Sequence, residues 1–223
     1  MNAPTIAVLR TMLGLQVEMN RKIDPQWHVA NFAFLRAVFV EAAEALEHYG
    51  WKWWKRQSPD MGQLRIELVD IWHFLMSHYL VLSGNDQEAA ARAIARDWSA
   101  SPEFKFDGKR HSPERMDMRE QLELLAALSA VRRIHLPLVV ALFKGCGLDA
   151  DGLYTAYVSK NILNHFRQDN GYKTGEYVKV WRGLEDNAHM EELLKTLDAR
   201  SESLPARLYE ALERRYRETV KAA

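Results

Sequence analysis

Apolar residues recur at intervals of three and four along most of the 223 residues, and runs alternating apolar with polar between turn residues are scarce. A chain patterned in this way buries its stripes by laying helix on helix, so the expected fold class is all-α, a helical bundle. The first helix is expected from about Thr5 to Asn20, with Leu9, Leu13, Gln16 and Asn20 along one side, before Asp24-Pro25 interrupts it. A second is expected from about Val29 to Tyr49, closed by Gly50, and a third from Met61 to about Leu82, closed by Ser83-Gly84-Asn85. Asp86 to Trp98 reads as helix, whereas Ser99 to Pro113, with Pro102 and Gly108 among charges, reads as an exposed connection and the best-placed lobe boundary. Helical patterns resume at Glu114 to Ala130 and Ile134 to Phe143, break at Gly145-Cys146-Gly147, and continue from Asp149 to about Gln168. Asp186 to Leu197 and Pro205 to Lys221 complete the pattern. The length suits one core, so a single domain over 1–223 is expected, with a smaller lobe at about 84–150.

Thirty basic side chains balance thirty acidic ones. No global field then draws the chain to nucleic acid or to a membrane, and any phosphate site must be built locally. Cys146 is the one cysteine, which excludes an internal disulfide framework and a multi-cysteine zinc site and suits a reducing compartment. The N-terminus lacks a basic stretch followed by an apolar one, and no apolar run reaches membrane-spanning length, so the expected location is the cytoplasm.

Two carboxylate pairs carry the chemistry. Glu41-Ala-Ala-Glu44 and Glu67-Leu-Val-Asp70 are each spaced i, i+3, which puts both acids of a pair on one helix face, and each pair lies in a largely apolar helix. A lone pair of this kind is usually a solvated surface. Two pairs on helices joined by a short connection can face each other, and four carboxylates in a poorly hydrated site repel strongly unless oxygen-seeking divalent cations lie between them. The spacing therefore points to a magnesium site able to bridge to substrate phosphates. His73, three residues after Asp70, opens a carboxylate-bridged di-iron alternative, but the second Glu-x-x-His half-site is missing.

Lys160, Asn164 and Arg167 lie at i, i+4 and i+7, a row of donors on one helix face; beside an acidic metal site such a row suits the far side of a polyphosphate. Trp51, Trp53 and Trp54, interleaved with lysines, read as a core plug or a base-stacking wall, with one or two rings anchoring the loop. Gln16 and Asn20, one turn apart, are amides able both to donate and to accept, as a uracil edge requires.

Together these residues resemble the all-α dimeric dUTPases, relatives of the MazG-like nucleotide pyrophosphohydrolases. The resemblance runs through Leu15-Gln16 with Asn20, Glu41 to Glu44, Trp51-Lys-Trp-Trp-Lys55, Glu67 to Phe74, Lys160 to Arg167, Gly171-Tyr172 and Glu185-Asp186-Asn187, and finds no motif in residues 84–150. It implies hydrolysis of dUTP, and of dUDP, to dUMP at a site holding two or three Mg2+ ions. Glu41, Glu44, Glu67 and Asp70 would be the metal ligands and catalytic carboxylates, with Glu41 orienting or deprotonating the attacking water. Lys160, Asn164, Arg167, Tyr172 and Lys179 would contact phosphates or sugar. Gln16, Asn20, Trp53, His73, Phe74 and Asn187 would surround the deoxyuridine. A homodimer is implied, with some groups acting on the partner's site. The alternatives are a related hydrolase of another base preference, such as dCTP, and a non-catalytic nucleotide-binding regulator.

Overall fold

The structure, a computed structural model, describes residues 1–197 and 203–221. Nine α-helices are present among them: α1 (Ile6–Ile23), α2 (Phe34–Tyr49), α3 (Met61–Leu82), α4 (Gln87–Trp98), α5 (Met118–Ala130), α6 (Leu136–Gly145), α7 (Ala150–Asp169), α8 (Asp186–Leu194) and α9 (Leu204–Tyr216). The chain is all-α, with two small antiparallel hairpins, β1 (Phe104–Phe106) with β2 (Lys109–His111) and β3 (Val180–Trp181) with β4 (Leu184–Glu185).

Aspartates start several helices where the first amides lack intrahelical acceptors. Asp60 accepts from the amides of Gly62 and Gln63, Asp86 from Glu88 and Ala89, Asp149 from Gly152, and Asp117 forms a reciprocal capping box with Glu120. Gly50 ends α2 at φ 88°, donating to the Leu46 carbonyl. Two expected boundaries move. The second helix starts at Phe34, not Val29, because residues 25–31 form turns that sink Trp27 into the core. The supposed exposed connection at 99–113 contains the β1–β2 hairpin, whose Asp107 and Gly108 both have positive φ (48° and 71°), as a type I′ turn requires.

Helices α2 and α3 run antiparallel, with Glu41 beside Asp70 and His48 beside Glu67. Against them pack α5 on α2, α4 on α1 and α3, α7 on α1 and α3, and α9 on α7 and α8. Trp72 of α3 meets Trp98 of α4 and Phe143 of α6 edge to face, with ring centroids 5.8 and 6.0 Å away, so the 84–150 segment shares the core built around α3. Contacts of this geometry add about 0.5–1.5 kcal/mol each beyond their buried area. A second aromatic group, Phe166, Tyr177, Trp181 and Tyr216, fastens β3 and α9 onto α7. Cys146 is buried, and that burial raises its thiol pKa. No helix among the described residues is long and apolar enough to cross a membrane.

Candidate active site

The antiparallel α2–α3 pair brings carboxylates from two helices to one place. Ligating oxygens of Glu41, Glu67 and Asp70 lie within 4.8 Å of one another. Glu44, one turn on from Glu41, is more exposed and stands outside that tight group, on the wall of the same cavity. Burial first, then the charges of Asp70, Glu67 and Glu44, push the Glu41 carboxyl up to about 8. Burial and Asp70 also raise Glu67, with Lys160 opposing them. Three acids held so close in a half-dry site make an oxygen-ligand set suited to a divalent cation, whose charge would offset the burial and repulsion that raise Glu41.

A cavity of about 620 Å³ opens over this cluster, lined also by Lys160, Arg167, Tyr172, Lys179 and Asn187. Lys160 on α7 is almost fully buried, with Nζ 2.8 Å from Asp70 Oδ2 and 3.0 Å from Asn187 Oδ1. The expected donor row is therefore formed, but part of it is already used. Arg167 gives its fork to Asp186 rather than to the clustered acids: Nε and Nη2 donate to Asp186 at 2.7 and 2.8 Å, and Nη1 donates to Asn164 at 3.1 Å. Lys179 pairs with Glu185 at 3.0 Å. Asn187, expected at the base, bonds to Lys160 on the acidic side instead.

A second cavity, about 260 Å³, adjoins the first and shares Glu41, Asp70, Arg167 and Tyr172 with it. Gln16, Asn20, His73, Phe74 and Asn164 also line it, with Met19, Ile23 and Gln168. Its amides are oriented by one chain of hydrogen bonds. Ser77 donates to the His73 carbonyl, so its oxygen accepts from Asn20 Nδ2 at 3.0 Å; Asn20 Oδ1 then accepts from Gln16 Nε2 at 3.0 Å. Gln16 Oε1 can only accept, so His73 Nδ1, 2.8 Å away, carries the proton. Burial, with Lys160 nearby, lowers the His73 pKa to about 3, keeping the ring neutral. Bound to Gln16, His73 does not join the acidic group, which removes the one histidine the di-iron alternative had.

Trp53 is placed elsewhere. It is 89% exposed, packs edge to face on Trp54, and lines neither cavity of its own chain. None of Trp51, Trp53 and Trp54 plugs the core, because the loop leaves Gly50 outward and is held by Trp51 and Lys52 bonding to Glu47.

The sequence alone assigns no role to His48, Asp186, Tyr157 or Ser77, although Asp186 lies within the matching Glu185-Asp186-Asn187. His48 was findable: it follows Glu41 by seven residues and Glu44 by four, hence on the carboxylate face, and its Nε2 lies 3.3 Å from Glu67. Tyr157, whose hydroxyl bonds to Met12 and lies 3.1 Å from Gln16 Oε1, carried no local signal.

Residues 8–172 match the family model for dUTPase, about three quarters of the chain and all four acids. The chain belongs to the all-α dUTPase family. Its members are dUTP diphosphatases, so dUTP hydrolysis is the activity of this protein, and divalent metal is the family's usual cofactor. A comparison with curated proteins found no match. The dUTPase match ends at Tyr172, so Lys179 and Asn187, which line the cavity, and Asp186, which holds Arg167, lie beyond it.

Proposed function

We propose that the two adjoining cavities are one dUTP site, with the polyphosphate over the acidic cluster and the deoxyuridine in the amide-lined cavity, and that dUTP and dUDP are both converted to dUMP. The observation that carries this reading is the shared wall: Glu41, Asp70, Arg167 and Tyr172 border both cavities, so a ligand can span them. Glu41, Glu44, Glu67 and Asp70 would hold two or three Mg2+ ions. When bound, these supply charge neutralisation along the polyphosphate and polarise its phosphoryl oxygens.

The protein's own groups do the rest. Lys160 has spent two of its three N–H donors on Asp70 and Asn187, leaving the third for a phosphate oxygen. Tyr172 and Lys179 border the same space. Glu41 takes the proton of a water that attacks the α-phosphorus: a water oxygen–phosphorus bond forms, the bond to the bridging oxygen breaks, and pyrophosphate leaves, or phosphate from dUDP. On the base side, the hydrogen-bond chain leaves Gln16 Nε2 one donor, and Asn20 one donor and one acceptor site. That is the complement of uracil, a ring N–H between two carbonyls. Cytosine presents an acceptor and a donor where two of these groups need the reverse, a mismatch that strands buried polar groups and is strongly rejected.

The active form is a homodimer in the cytoplasm, removing dUTP before uracil enters DNA and supplying dUMP. The reading is tested by pyrophosphate release from each deoxynucleoside triphosphate, with Mg2+ and with EDTA. Turnover of dUTP far above the others, abolished by EDTA, is expected. Preference for dCTP would overturn the base assignment, and turnover indifferent to EDTA the metal assignment.

A further inference from the structure

Asp186 is fully buried at the first position of α8 and accepts three side-chain hydrogen bonds. Arg167 grips it with two parallel bonds, Nε to Oδ2 at 2.7 Å and Nη2 to Oδ1 at 2.8 Å, and the Tyr177 hydroxyl donates to Oδ2 at 2.7 Å. Burial raises its pKa, but these donors outweigh burial and the carboxyl stays below its ordinary value. The amide of Asp186 also donates to the Lys179 carbonyl at 3.0 Å, and the next residue, Asn187, accepts from both Lys160 and Arg167.

We propose that Asp186 is a positioning residue of the dUTPase reaction: by taking the fork of Arg167 it fixes which N–H the guanidinium offers to the substrate, and it pins to α7 the hairpin that carries Lys179. A guanidinium has five N–H groups. Two go to Asp186, one to Asn187 at 3.4 Å and one to Asn164, so a single Nη1 N–H is left for the cavity. Arg167 thus contributes one directed donor and a fixed positive charge rather than a two-pronged phosphate clamp. Without the Asp186 carboxylate, the nearest compensating charges are the metal-site acids, and the guanidinium would swing to them and compete with cation binding. Charge-assisted bidentate pairs are the strong ones, which suits them to holding a long side chain in one pose. Tyr177 adds rigidity, its ring stacked on Tyr216 with centroids 5.4 Å apart.

The inference rests on the proposed site, and its test keeps the two apart. Steady-state kinetics with dUTP and Mg2+ would be measured for Arg167→Ala, Asp186→Asn, Tyr177→Phe and the Arg167→Ala/Asp186→Asn double variant, below the melting temperature of each as fixed by circular dichroism. A purely structural role lowers kcat with the folded fraction and leaves KM unchanged. Positioning instead raises KM about tenfold in Asp186→Asn and about threefold in the milder Tyr177→Phe, and Asp186→Asn adds nothing once Arg167 is gone. Unchanged KM in both Asp186→Asn and Tyr177→Phe, or losses that multiply in the double variant, would overturn the proposal. If Asp186→Asn does not fold, Tyr177→Phe alone decides. Wild-type kinetics in Arg167→Ala would instead remove Arg167 from the site and so overturn the reading beneath it.

Discussion

At the scale of single residues, the Glu41 carboxyl is strongly perturbed, because the protein buries it and holds it among three other acids. Its pKa rises from 4.5 in the unfolded chain to about 8 when folded. Between those values the folded protein keeps a proton that the unfolded chain has lost, so stability is complete below the lower value and drains away as pH rises through the upper one. Glu67 shifts in the same direction. In EDTA, therefore, the melting temperature should fall as pH rises from about 5 to about 8. Glu41→Gln should flatten that slope and melt higher than wild type at the alkaline end, and Mg2+ should raise the wild-type melting temperature most where the slope has cost most. Calorimetric scans at several pH values decide it. A Gln variant melting below wild type near pH 8 would mean that the acids are not in conflict.

At the scale of elements, the turn after α7 sets where the C-terminal hairpin begins. Gly171 has φ +88°, and a Cβ there would come within 2.8 Å of Glu176 Cβ, while Gly175 has φ +79° with nothing near a Cβ. Gly175→Ala should then cost only the left-handed strain, about 1–2 kcal/mol. Gly171→Ala should add a packing clash for a total of about 2–5 kcal/mol, because the clash meets a Cβ rather than a flexible tip. Urea denaturation compares them, and equal losses would show that the turn relaxes freely. Much of this architecture was legible in advance. The three-and-four spacing gave α3 from Met61 to Leu82, and capping aspartates marked several starts. Asp107-Gly108 was a readable hairpin signal that the surrounding prolines and charges obscured. Arg182-Gly183 was not, since an arginine at φ 47° carries no turn preference. The acids were readable because their partners lie on two helices joined by a short loop. The Arg167–Asp186 pair was not, because it forms only when the chain beyond residue 172 folds back across α7, and local spacing holds no record of that return.

At the scale of the whole molecule, α2 presents an exposed stripe that is partly apolar. Along α2 the exposed positions Arg36, Phe39, Val40, Ala43 and Glu47 follow helical spacing, and Phe32 precedes them. The stripe reaches the tryptophan loop through the bond from the Trp51 indole to Glu47, and Trp54 and Trp53 extend it. It borders Glu41 and Glu44 on the same helix, so a second copy docked there would lie against the site. Burying side chains of this size contributes about 1.5–3 kcal/mol each, which favours a homodimer over an exposed stripe. In such a dimer Trp53, which lines neither cavity of its own chain, would serve the partner's. Sedimentation should show a dimer at micromolar concentration, and the Phe39→Glu/Val40→Lys variant should sediment as a monomer with reduced turnover. The shared-site arrangement has a sharper test. Trp53→Ala and Glu67→Ala should each be impaired alone. In a mixed dimer, the site built on the Trp53→Ala chain keeps its own Glu67 and receives an intact Trp53 from the other chain, so the activity of an equal mixture should climb toward roughly a quarter of wild type, with half the dimers mixed and one intact site in each. If both residues act within one chain, every site in the mixture keeps a defect, and no recovery on mixing would return Trp53 to its own subunit.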